Sequence, residues 1–286
     1  RHLQSLGLPL QAILVRKEIL PPPVQTLWDR NRPVVAGLRL AFNNSLGQQS
    51  GCTMGWMLFR RNGAVVDSST RYFITASHCG TPGGVGGLDA VVYYQGGIGV
   101  SADSLGQEVA DPLPYSGGNC PSGRVCRYSD ASLIRMPSTV LWVHGGSAWS
   151  EPVFPPAFPP YVGWMMSPTV AAHAFNYAVV GIASGERIGT NIATCVDRAF
   201  TVGSNLVLKC QNRLNVIGAS GDSGGPVFQY DSFWGFWRHA RGLRWAATWN
   251  QANNTGVADY STAAGIEIDL GQFQYHSTCS SACIPW

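Results

Sequence analysis

The sequence predicts an all-β protein assembled from many short strands. Glycine (34 residues) and proline (18 residues) break the chain at short intervals, and runs rich in β-branched and aromatic residues lie between the breaks. Apolar residues make up 45% and charged residues 12% of the 286 positions, so the chain can bury a large core in one or two domains and does not read as disordered. The net charge of +3 comes without any long Lys/Arg run, so neither DNA nor RNA is expected as a partner. No stretch of 18 apolar residues marks a membrane-spanning helix.

Residues 1–33 differ from the rest. Leu3, Leu6, Ile13, Leu14, Ile19 and Leu20 make a loosely helical apolar pattern that stops at Pro21-Pro22-Pro23. This segment reads as an N-terminal extension packed on the body; the sharper alternative is the remnant of a pro-segment or an activation arm. Arg1 is not an initiator, so removal of a leader, or trimming of the chain, is expected.

Strands follow in order. Val34–Phe42 reads as the first. Cys52–Phe59 and Arg71–Ala76, with a turn at Arg61-Asn62-Gly63, read as a hairpin of buried strands. Short strands are expected at Ala90–Tyr94 and Ile98–Ser101. The segment Glu151–Pro160 holds too many prolines to supply sheet donors and reads as a surface linker. Further strands are expected at Ala178–Ile182, Ile192–Val202, Leu206–Cys210, Pro226–Tyr230, Trp245–Trp249 and Ala263–Ile268, with a polar loop at Gln251–Tyr260. Asp231–Arg238 is an aromatic-rich loop, more simply explained by rings folded on the body than by a contact surface. No tandem repeat is present.

The chemistry is concentrated in Gly221-Asp222-Ser223-Gly224-Gly225-Pro226. A serine among residues without Cβ atoms can sit on a sharp turn, with backbone N–H groups of Gly221 and Ser223 facing the point where an oxyanion would form. A serine hydroxyl also needs an imidazole to take its proton and a carboxylate to orient that imidazole. Of six histidines, only His78 has a suggestive context, at a strand end beside Cys79; His2, His144, His173, His239 and His276 are assigned to surface or packing.

Thr75-Ala76-Ser77-His78-Cys79 resembles the histidine motif of the chymotrypsin-like (trypsin-fold) serine proteases, and Gly221–Pro226 resembles that family's serine motif at every position. Ser129-Asp130-Ala131-Ser132-Leu133-Ile134 is similar to the aspartate segment, with Asp111 as the alternative acid. The order His, Asp, Ser is also the family's; an esterase would carry Ser before Asp before His, although Gly221–Gly225 fits its five-residue pattern. A binding module on the same fold would be expected to lack the His or the Ser. The resemblance covers residues 34–270 and is nearest to secreted bacterial members of the streptogrisin and α-lytic type.

It implies two six-stranded antiparallel Greek-key β-barrels with the active site in the cleft between them. Residues 34–150 would form the first barrel, with His78 and Asp130; residues 151–162 the linker; residues 163–286 the second barrel, with Ser223 and the specificity pocket. The even number of cysteines, in local pairs, suits disulfides better than zinc, since no C-x₂-C pair occurs. The resemblance pairs Cys52 with Cys79, Cys120 with Cys126 and Cys195 with Cys210; Cys279 and Cys283 would close a tight terminal loop.

By family position the pocket base falls at Ile217, with Gly218, Ala219 and Ser220 as one wall. Thr248-Trp249-Asn250 would be the other wall, and Ala263 and Ala264 the back. With no carboxylate at the base, an apolar or aromatic side chain is expected before the cleaved bond. Asp222 should be buried and paired; Arg187 is the candidate cation. The implied protein is a secreted, extracellular or periplasmic endopeptidase and a monomer. Its partners would be protein or peptide substrates, with a pro-segment or inhibitor as a further class, and it would need no cofactor or metal.

Overall fold

The computed structural model describes residue 28 and residues 30–81, 86–141, 164–165, 176–201, 204–230, 238–250 and 252–274. Most of the expected N-terminal extension lies outside them. So do the Pro-rich linker 151–162, the aromatic loop 231–237, the pair Cys279 and Cys283, and His2, His144, His173 and His276.

Sixteen strands and two short α-helices are described. They are β1 (Arg39–Asn43), β2 (Gln49–Thr53), β3 (Met57–Asn62), β4 (Val65–Thr75), α1 (Ser77–Gly80), β5 (Val92–Tyr94), β6 (Ser104–Ala110), β7 (Val125–Arg127), β8 (Ser132–Arg135), β9 (Trp164–Met165), β10 (Asn176–Gly181), β11 (Gly185–Ala199), β12 (Leu206–Leu214), β13 (Pro226–Tyr230), β14 (Arg238–Asn250), β15 (Thr255–Thr262), α2 (Ala263–Leu270) and β16 (Phe273–Gln274). A tight turn at Gly63-Ala64 joins β3 to β4; the expected turn residues Arg61 and Asn62 belong to β3, where Asn62 pairs with Val65.

Two sheets result. The first runs β16-β3-β4-β8-β6-β5-β1-β2, antiparallel throughout. In the second, the order is β11-β10-β13-β14-β15-β12, and β11 also pairs with β12, so these six antiparallel strands close on themselves. Closure removes the free edges that an open sheet would expose. Each half also lends a strand to the other: β7 lies parallel on β12, and β16 pairs with β3.

One apolar core joins the sheets. Leu40, Phe42, Trp56, Phe73, Tyr93, Leu133 and Ile134 from the first pack with Val180, Phe228 and Leu243 from the second. The Trp56 ring lies 6.0 Å from Phe228, edge to face, and its Nε1–H donates to Gly242 O at 2.9 Å, so its one polar atom is satisfied across the junction.

Two expected strands are not strands. Ala263–Ile268 is the helix α2, started by Thr262, whose side-chain oxygen accepts from Gly265 N–H. Its apolar residues Ile266 and Leu270 are four apart and both buried, the spacing of one helix face. Ile98–Ser101 is a turn leading into a 3-10 turn at Ser101–Asp103. The expected polar loop at Gln251–Tyr260 is largely the hairpin strand β15. The bonds Cys52–Cys79, Cys120–Cys126 and Cys195–Cys210 are all formed.

Candidate active site

His78 is the second residue of α1, the single turn that follows β4. The bond from Cys79 to Cys52 ties that turn to β2. Asp130 lies just before β8, which pairs with β4 through Thr75↔Ser132, and this pairing brings the two residues together.

The Asp130 carboxylate, 0% exposed, meets His78 twice. Its Oδ1 accepts the His78 backbone N–H at 3.0 Å, and its Oδ2 pairs with Nδ1. His78 Nε2 is 2.9 Å from Ser223 Oγ. Burial pulls the imidazole pKa down, but the charge and hydrogen bond of Asp130 push it up by more, so the net shift is upward. Asp111, the alternative acid, instead accepts from Ser77 Oγ at 2.7 Å and pairs with Arg127 at 2.6 Å.

Behind Asp130 lie two sets of polar groups that local sequence did not reveal. Asp130 N–H donates to Ser261 Oγ at 2.9 Å; Ser261 donates in turn to Gln211 Oε1, which also accepts Trp245 Nε1–H. On the other side Arg127 donates to Ala131 O at 2.6 Å. Asp269 of α2 accepts the Ser129 N–H at 2.6 Å and its hydroxyl at 2.7 Å. The 127–131 segment is thus held from both sides by buried, charge-assisted bonds.

Ser223 lies between β12 and β13, in a turn gripped by the first sheet. Thr53 N–H donates to Ser223 O at 2.8 Å, and Thr53 Oγ1 donates to Gly221 O at 2.9 Å. Gly224, at φ +88, has Thr53 O and Thr75 Oγ1 where a side chain would stand, so only glycine allows this approach. Among the described residues, the N–H groups of Gly221 and Ser223 donate to no protein acceptor.

Asp222 is paired with Arg244, not Arg187. Arg244 Nη2 lies 2.8 Å from Asp222 Oδ2, and the carboxylate also accepts N–H groups of Ala183, Ser184 and Ala219 at 2.7–3.0 Å. Arg187 is exposed and stands opposite Val179 in the β10–β11 ladder. A sequence signal for Arg244 did exist: it is a lone charge inside the apolar run Gly242-Leu243-Arg244-Trp245-Ala246-Ala247. Burial lowers its pKa, and the Asp222 charge opposes that.

The residues expected to form the pocket walls do not all lie beside Ser223. Gly224 N–H donates to Arg244 O, Arg244 N–H donates to Gly225 O, and Ser223 Oγ is 3.5 Å from Trp245 O. The β14 segment beside Ser223 is therefore Trp245-Ala246-Ala247. Thr248, Trp249 and Asn250 lie farther out on the hairpin and are exposed, Trp249 by 46%. Ile217, Gly218, Ala219 and Ser220 do lead directly into the Ser223 turn, with Asp222 N–H donating back to Ala219 O. Ala263 and Ala264 form the first turn of α2. Phe200 lies 5.6 Å from the His78 ring and stacks on Trp245.

No family model matches the sequence, and no curated protein matches it. Solved structures do match. Thermobifida fusca protease A is 18% identical with a TM-score of 0.55, covering 85% of this chain and 98% of its own. Nocardiopsis protease (NAPase) is 16% identical with a TM-score of 0.55, covering 85% and 99%. Cellulomonas bogoriensis chymotrypsin is 17% identical with a TM-score of 0.56, covering 86% and 99%. At these identities the likeness shows the fold: the two-barrel, all-β arrangement of bacterial chymotrypsin-like serine proteases.

Proposed function

We propose that this chain is a serine endopeptidase that cleaves protein or peptide substrates through an acyl-enzyme. The observation that carries the reading is the continuous contact Asp130–His78–Ser223, ending with Nε2 at 2.9 Å from the serine hydroxyl. Ser223 Oγ attacks the substrate carbonyl carbon while His78 Nε2 takes its proton. Asp130 holds the Nδ1–H tautomer and stabilises the imidazolium that forms. The N–H groups of Gly221 and Ser223 receive the oxyanion. His78 then returns the proton to the leaving amine, and water enters by the same base to free Ser223. The three disulfides support an oxidising, extracellular location.

The test is a fluorophosphonate label with mapping of the modified residue. Ser223 should be labelled in folded protein, and Ser223→Ala should lose both the label and hydrolysis of a casein-type substrate. Label on another residue, or none on folded protein, would sink the reading.

A further inference from the structure

The space that must receive the substrate side chain is bounded by chain segments already placed. A peptide whose carbonyl carbon reaches Ser223 Oγ runs beside β14 as an added strand. The side chain preceding the cleaved bond then points between Ile217–Ser220 and Trp245–Ala247. The sequence alone predicts an apolar or aromatic side chain before the cleaved bond.

In the structure, two side chains of β14 lie against one wall of that space. Arg244 folds back from β14 and is 1% exposed. Its Nη1 lies 2.9 Å, and its Cζ 3.5 Å, from the point that a Cβ on Gly218 would take. The same point is 2.5 Å from the Ala247 methyl. One step further along, a Cβ on Gly256 would meet Ile217 Cα at 3.0 Å. The segment 217–218 therefore rests directly on the β14–β15 hairpin, and glycine stands at 218 because nothing larger fits.

Arg244 is not free to swing aside. Its Nη2 bonds both Asp222 Oδ2 at 2.8 Å and Asp222 O at 3.2 Å. Moving it would strip the cation from a buried carboxylate one residue before Ser223. The residue that orders the serine turn thus also lies against the 217–218 segment.

We propose that Arg244 and Ala247 together restrict cleavage to peptides with glycine or alanine before the bond. This rests on the reading of Ser223 as nucleophile. The test is a set of peptide p-nitroanilides alike except at that position, carrying Gly, Ala, Val, Leu, Phe, Glu or Arg, assayed beside the fluorophosphonate label. Alanine or glycine should give the highest kcat/KM, with Leu, Phe, Glu and Arg lower by about 100-fold or more, the scale on which a pocket rejects excess volume. Ala247→Gly removes the methyl that meets the Gly218 position and should narrow the gap between Ala and Leu by about tenfold. Fastest cleavage after Val, Leu, Phe or Arg overturns the proposal, as does an unchanged Ala-to-Leu ratio in the variant. Fastest cleavage after Glu also overturns it, because Nη1 would then be a ligand for substrate and not a plug. If Ser223 takes the label but no substrate in the set is cleaved, the proposal fails and the protease reading stands. If Ser223 takes no label, the reading itself fails.

Discussion

Asp130 acts on both ends of one residue, fixing the His78 backbone through Oδ1 and its ring through Oδ2. Replacing it by Asn keeps the shape but offers the ring an amide, which favours the wrong tautomer. Asp130→Asn is expected to lower kcat by about 10⁴-fold with little change in stability, measured with a peptide ester and by thermal melting. As the proposed base, His78 works only when neutral; burial lowers its pKa, but the charge and hydrogen bond of Asp130 outweigh that and raise it above its ordinary 6.5. The acid limb of kcat/KM should therefore have its midpoint above pH 6.5, and a rate independent of pH would contradict the assignment. His78, Asp130 and Ser223 were legible in the sequence because each sits in a short motif whose chemistry is local. Thr53, Ser261, Gln211 and Asp269 were not, since a threonine or glutamine acquires its role only from a partner far along the chain.

At the scale of elements, β14 does most to organise the site. It carries Arg244 to Asp222 and sets the wall beside Ser223. Its position was readable as a strand, but its register was not: one strand looks alike at several offsets until two backbone bonds to Gly224 and Gly225 fix it. Arg244→Met tests this element. Losing one partner of a buried ion pair costs about 3–5 kcal/mol, so a clear fall in Tm is expected. The Ser223 turn should also loosen, giving slower fluorophosphonate labelling. Unchanged stability and labelling would mean that the three backbone N–H groups alone neutralise Asp222. The helix α2 makes the complementary point. Its alanine- and isoleucine-rich sequence fits strand or helix, and Thr262 as a cap and Asp269 as an anchor decide the matter.

For the whole molecule, the two sheets share an apolar core and exchange strands β7 and β16, so they are held together by packing and by backbone pairing. Global stability should carry the mark of a buried acid in the first sheet. Burial, then the side-chain hydrogen bond with Asp89 and the charges of Asp111 and Asp89, push the Glu108 carboxyl up to about 9, against the Asp89 backbone N–H that donates to it. The unfolded carboxyl releases its proton near 4.5. Between those values the folded state holds more protons, so stability falls as pH rises through that window. Glu108→Gln stays neutral, and its Tm advantage over the native chain should grow from pH 5 to about 9. A constant difference across that range would show that Glu108 does not titrate in this way. By itself, the sequence determined the all-β class, pointed to the pairs Cys52–Cys79, Cys120–Cys126 and Cys195–Cys210, and singled out His78, Asp130 and Ser223, which the structure brings into contact, because strand punctuation and short motifs are written in neighbouring residues. Only the tertiary structure decided which cation meets Asp222 and which stretch of β14 faces Ser223. Those depend on register and on a side chain folding back across strands: a lone charge in an apolar run marks Arg244 as unusual, but its partner is named only by the fold.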